Sequence, residues 1–518
     1  MSVAEDNTKP AAKHEESSEN TSDDMPVITG FNRRVLFILV LLGFGSASMG
    51  YAASIIATTL TQPSFYVKLN LTNATNLTAL IGATNGLFYT GGAFGSIFSG
   101  YVAHKYGRKI SAGAAALTIL ISSAIICGST HIAMFITFRF FQGYGCFNMM
   151  STIPMWMAEL VPPKKRGMLV QIHPAMINFG YVVASYTGIG FYYFHDPSNN
   201  QWRGPMGLAG FFPFLFLLGI YWIPESPRYL LANDKTDAAW EILRQLHSHP
   251  RDPEHLYAKK ELYQIQQQMQ LDKEFSAPTG FGNYGRIAMK KSLRNRALLT
   301  MFVTFAQMGS GALVINSCLG FGEEDILQFQ GGYQLCAWVM NTAGMLTIDL
   351  FPRNKLMSFG FATMVVTVII ETALQKNFLG TTNQTGLSAC VALLFLNVTL
   401  YGLSVEGVGF LYIAEIWPSY ARTEGYALGM FSLCVSSIIW TQAAPTAFAN
   451  IGWKYYIIFI VVNAVASAVL YFVPDTRGKP LEEIAALFGD GDQVAVYQDG
   501  IQSEKLREPH WGEHGIDP

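Results

Sequence analysis

The chain has 518 residues, half of them hydrophobic and 14% charged, with a formal net charge of −2. A soluble protein of this length needs more charge to cover its surface, and the balance gives no argument for binding nucleic acid. Several apolar runs reach roughly 20 residues, the length that crosses a ~30 Å hydrocarbon core.

In chain order, residues 1–32 are polar and acidic (Glu15, Glu16, Glu19, Asp23, Asp24) and lack the basic, apolar and cleavage regions of a signal peptide. They read as a disordered cytoplasmic tail. Apolar spans follow at 34–58, 78–102, 110–128, 132–156, 167–194 and 207–223, a first six-helix unit over 33–223. The polar stretch 224–296 cannot cross a membrane, and its patterning from Glu241 to Gln270 suggests short amphipathic helices in a cytoplasmic linker. Six more spans, at 297–319, 329–350, 355–374, 387–413, 425–447 and 453–473, form a second unit over 297–473, and 474–518 reads as a second cytoplasmic tail. The expected fold is an all-α membrane protein: twelve transmembrane helices in two pseudo-symmetric six-helix bundles around a solute path.

Lys and Arg concentrate in alternate loops (Arg33, Arg34; Lys105, Arg108, Lys109; Lys164, Lys165, Arg166; Arg353, Lys355; Arg422), which puts both termini in the cytoplasm. The 59–77 loop is then external, and Asn70 and Asn73 in Asn-x-Thr triplets are candidate glycosylation sites. All six cysteines fall in apolar segments without CxxC or metal-ligand spacing, so they read as packing residues, with no metal and no disulfide framework expected.

Two segments repeat. Glu159-x-x-Pro162-x-x-x-Arg166 follows span four, and Glu415-x-x-Pro418-x-x-x-Arg422 follows span ten, 256 residues later. Pro224-Glu225-Ser226-Pro227-Arg228 after span six is echoed by Pro474-Asp475-Thr476-Arg477-Gly478 after span twelve, and Gly107-Arg108-Lys109 weakly by Pro352-Arg353-Asn354. An internal duplication explains all three. Snorkelling to headgroups explains any single Arg; an acid, a proline and a base at fixed spacing in both halves point to inter-helix ion pairs that hold the halves together on one face.

These motifs, with Arg139 and Pro154 in span four, resemble the sugar-porter branch of the major facilitator superfamily, and Trp453-Lys454-Tyr455-Tyr456 with 474–484 resembles its fungal members most. The resemblance runs from about residue 33 to 488 and implies the major facilitator fold, alternating access and a central site between the bundles. It also implies a cytoplasmic gating network of Arg108, Arg139, Glu159, Arg166, Glu225, Arg353, Glu415 and Arg422.

In the central path the family pattern is only partly kept. Gln307, Ser310 and Gly311 match span seven of the family, while Met308 and Leu313 each replace an amide. Pro174 and Tyr181 stand for two glutamines in span five, Phe410 for a tryptophan in span ten, and Ser437 for an asparagine in span eleven. His173, Asn178, Asn316, Asn341 and Gln442 are further polar residues inside apolar spans, each facing either the path or a neighbouring helix. Substrate-binding candidates are therefore Gln307, Ser310, Phe410, Ser437, Tyr181, His173, Asn316 and Asn341.

Proton-linked members carry an aspartate where this chain has Ala52, and His104 stands where the family has an aspartate in the span-two loop. Glu406, mid-span in helix ten, is the candidate for proton coupling, with a ligand contact or a locally paired packing acid as alternatives. No nucleophile elbow, phosphate loop, zinc motif or nucleotide fingerprint is present, so neither an enzyme nor a cofactor is expected. The reading is a monomeric plasma-membrane transporter of a sugar or sugar-like solute, by facilitation or with protons, embedded in lipid. The alternatives are a transporter-derived nutrient sensor and a carrier of a less polar solute, an organic acid or aromatic compound.

Overall fold

The computed structural model describes residues 33–72, 77–162, 166–194, 196–247, 252, 254–275, 282–311, 323–378, 381, 383–479 and 483–490. The N-terminal tail, Asn73, Asn316 and the C-terminal stretch 491–518 lie outside them. Among the described residues twelve helices fall on the expected spans, with 312–319 of span seven outside the described residues: α1 Arg33–Leu60, α2 Leu77–Tyr106, α3 Arg108–Cys127, α4 Ile132–Leu160, α5 Arg166–Tyr193 and α6 Arg203–Trp222 in the first half. In the second half they are α7 Lys291–Met308, α8 Glu323–Thr347, α9 Arg353–Phe378, α10 Gln384–Glu415, α11 Arg422–Ile451 and α12 Gly452–Tyr471. No strand occurs among the described residues.

Eight of these helices are long and apolar enough to cross a membrane by themselves. The other four are α2, α4, α7 and α8. α4 shows why: Arg139, Gln142, Asn148, Ser151, Thr152 and Glu159 are all buried against other helices, where polar groups find partners that lipid cannot supply. Close helix approach is set by small residues. A Cβ at Gly91 of α2 would run into the carbonyl of Phe140 on α4, and one at Gly143 of α4 into that of Phe88 on α2.

One end of the molecule carries four short helices of the linker, Pro227–Ala232, Thr236–Leu246, Leu256–Phe275 and Gly282–Met289. The first starts on Ser226, whose hydroxyl accepts from the Tyr229 N–H, with Pro227 following at the first helical position. Leu230, Leu231, Ala239, Leu243, Ala258, Leu262 and Ile265 give three of these helices a small core of their own. We call this end the linker face.

Candidate functional site

Between the halves lies a cavity of about 410 Å3, walled by Ala53, Ser54 and Ala57 of α1, Tyr89 of α2, Asn178 and Tyr181 of α5, and Gln307 and Met308 of α7. α8 contributes Phe329, Gln330, Tyr333, Gln334 and Ala337, and α10 contributes Val391, Leu394, Phe395, Val398, Tyr401 and Glu406. This is the size and mixture of a small-molecule site: aromatic and apolar walls with a few convergent polar groups.

Glu406 ties the two halves together. Its Oε1 accepts from Asn178 Nδ2 at 3.0 Å and its Oε2 from Asn341 Nδ2 at 2.9 Å, while Asn341 Oδ1 accepts from Gln171 Nε2 at 3.2 Å. The carboxylate ends a π-helical turn, Gly402–Glu406, inside α10. Such a turn loosens the regular ladder, and Gln307 Nε2 donates to the carbonyls of Val405 (3.3 Å) and Glu406 (3.0 Å).

Below the cavity the linker face is laced by ion pairs. In the first half Arg108 Nη2 meets Glu159 Oε1 at 2.8 Å, and the Glu225 carboxylate accepts the N–H groups of Arg108 and Lys109, both at 3.1 Å, capping the start of α3. The second half repeats the device: Arg353 pairs with Glu415, and Asp475 Oδ1 accepts the Arg353 N–H at 2.9 Å. Gly107, at φ 95°, brings the chain past Glu225 in a conformation and space that a side chain would spoil.

On this face, among the described residues, side chains of one half also reach the other. Arg166 Nη1 lies 3.8 Å from Glu415 Oε1, Asp349 Oδ2 accepts the Met168 N–H at 2.9 Å, and His104 Nδ1 lies 3.8 Å from Glu424 Oε1. Arg422 Nη2 donates to the Trp417 carbonyl of its own half at 3.2 Å. Arg139, placed in this network by the resemblance, is not in it. It lies about 30 Å along the axis from the α4 terminus at Leu160. There Nη1 reaches the Ala52 carbonyl and Gln142 Oε1, both at 2.8 Å, and the guanidinium sits 4.3 Å from the Phe88 ring centroid.

A profile of the Sugar (and other) transporter family matches residues 38–488. The chain belongs to that family. It is 26% identical over 486 residues to the sugar transporter STL1 of Saccharomyces cerevisiae, covering 90% of this chain and 82% of that one. It is equally, 26%, identical over 499 residues to a quinate permease of Emericella nidulans, covering 92% of each. Its fold matches that of the proton:xylose symporter XylE of E. coli bound to 6-bromo-6-deoxy-D-glucose, with a TM-score of 0.76 at 21% identity, covering 88% of this chain and 99% of that one.

Within this family member the residues predicted from sequence divide in two. Tyr181, Gln307, Asn178 and Glu406 line the cavity, and Asn341 stands directly behind Glu406. His173, Phe410, Ser310 and Ser437 do not line it. His173 Nδ1 shares a hydrogen bond with Ser46 Oγ at 2.7 Å and meets the Phe410 ring edge-on, the Ser310 carbonyl accepts from Asn463 Nδ2, and Ser437 Oγ donates to the Leu433 carbonyl of its own helix. Sequence reasoning missed Tyr89, Tyr333, Tyr401, Gln330 and Gln334. The signal for part of this set was present, because Gln330, Gln334, Ala337 and Asn341 recur at helical spacing along one side of α8.

Proposed function

We propose that this chain carries a sugar or similarly hydroxylated solute across the plasma membrane by alternating access, as a monomer, with the linker face and both termini in the cytoplasm. The carrying observation is the cavity shared by both halves, whose amides, phenols and aromatic faces suit hydroxyls and C–H surfaces, above a linker face closed by cross-half contacts. The sugar-transporter name of STL1, the sugar bound in XylE and the Lys/Arg bias of the linker-side loops support the same reading. Glu406 is the acid we assign to any proton coupling, since it faces the cavity and bridges Asn178 and Asn341 of opposite halves. Phe329, Phe395 and Met308 favour a less polar neutral solute as the second reading.

The test is uptake of a labelled solute panel in a transporter-null cell, with and without a protonophore. Sugar uptake that resists the protonophore supports facilitation. Sensitive uptake that Glu406→Gln abolishes, with binding retained, supports coupling at Glu406. Binding without uptake, despite surface expression, turns the reading toward a sensor.

A further inference from the structure

Among the described residues that wall the cavity, Glu406 is the one carboxylate, and there is no Lys, Arg or His. The undescribed segment 312–322, between α7 and α8, contains no basic residue in its sequence either. α8, which supplies Gln330, Tyr333 and Gln334 to the wall, begins with Glu323-Glu324-Asp325. The buried cation Arg139 does not line the cavity, and its Nη1 is held by Ala52 and Gln142. The charge that the described wall itself offers a ligand is therefore negative or nil, with the Arg139 guanidinium set behind it against the Phe88 ring.

A carboxylate ligand entering such a space loses its water, gains no countercharge, and is brought toward a second carboxylate in a low-dielectric wall. Neutral hydroxylated ligands meet no such penalty, and an ammonium group finds an acid that already bridges two amides. We propose that Glu406 sets the charge rule of the cavity: uncharged and ammonium-bearing hydroxylated solutes are accepted, and carboxylates are refused. This deepens the function proposed above, because it rests on the cavity being the solute site. It also separates the chain from the carboxylate cargo named for its quinate-permease relative, to which it is as similar as to STL1.

The experiment measures binding to the purified full-length chain, by ligand-induced thermal shift over a concentration series, for the matched set glucose, glucosamine and glucuronate. In the unmodified chain glucuronate is expected to bind about tenfold or more weakly than the other two. Glu406→Gln should narrow that gap, and Gln334→Lys, which adds a cation to the wall without touching Glu406, should raise glucuronate and lower glucosamine. Glucuronate within about threefold of glucose in the unmodified chain overturns the rule. So does a gap that neither variant moves. Quinate and its methyl ester read the same rule without a sugar. Ester binding without quinate binding, when no sugar binds, keeps the charge rule and removes the sugar reading. Quinate binding as well as its ester overturns the rule, and binding of none of the five overturns both.

Discussion

Replacing Arg166 by Gln tests whether the linker face is a latch. Arg166 belongs to the first half, yet its Nη1 lies 3.8 Å from Glu415 Oε1 and 3.3 Å from the Lys479 carbonyl, both in the second half. At that separation and an effective dielectric near 20 the Coulomb attraction is about 4 kcal/mol. Burying the guanidinium opposes it by several kcal/mol, so the net preference for the closed face is expected near 1.4–2.8 kcal/mol. That corresponds to roughly a 10- to 100-fold change in the ratio of the two faces. Glu415 keeps Arg353 and the Thr476 hydroxyl in the variant, so no acid is left alone.

The readout is a single cysteine at Ala53, on the cavity wall, in a background with the six native cysteines replaced. A membrane-impermeant maleimide applied from the linker side reports the minor, linker-open population. Its labelling rate should rise about 10- to 100-fold in Arg166→Gln and less in Arg166→Lys, which keeps the charge but not the planar fork. A folded Arg166→Gln protein whose linker-side rate stays within about twofold of the parent would refute the latch.

Three further outcomes follow from the same geometry. Ala52→Asp should give the buried Arg139 an acidic partner where it now has a backbone carbonyl and an amide, raising the thermal midpoint in detergent by about 2–4 °C; no rise counts against Arg139 being an uncompensated charge. His104→Asp sets a second acid opposite Glu424 and should raise linker-side labelling at Ala53→Cys by roughly tenfold, with Glu424→Gln in the same chain restoring the parent rate. Failure of the second change to restore it would mean that His104 acts through something else. Asn70 is exposed in a turn at φ 55°, and Asn70→Gln should abolish the gel shift produced by peptide N-glycosidase; a shift that persists until Asn73 is also replaced assigns the glycan to Asn73.

The elements of the linker face were legible because their physics is local. An acid, a proline and a base at helix ends must find partners or water, and their recurrence 256 residues on marks two halves with the same need. Arg139 illustrates the limit of a motif. It travels in sequence with the gating residues, but 1.5 Å per residue along α4 carries it toward the opposite end from Glu159. Helix arithmetic alone predicts that separation; family association does not.

The cavity was less legible because it is made by convergence. Tyr89, Tyr333 and Tyr401 come from three helices, and nothing within any one helix says that their rings share a space. Depth matters as much as face. Phe410 lies one turn after Glu406, so a helical wheel puts both on one side, yet Phe410 is about 6 Å nearer the linker face. There it meets His173, beneath a floor built by Glu406, Asn341 and Gln171. An acid at the end of a π-helical turn, held by an amide from each half, is thus both the floor of the cavity and a junction between the halves. Any movement that parts α5 from α10 must break the Asn178–Glu406 bond, so opening of the halves at this depth and the hydrogen bonding of Glu406 change together.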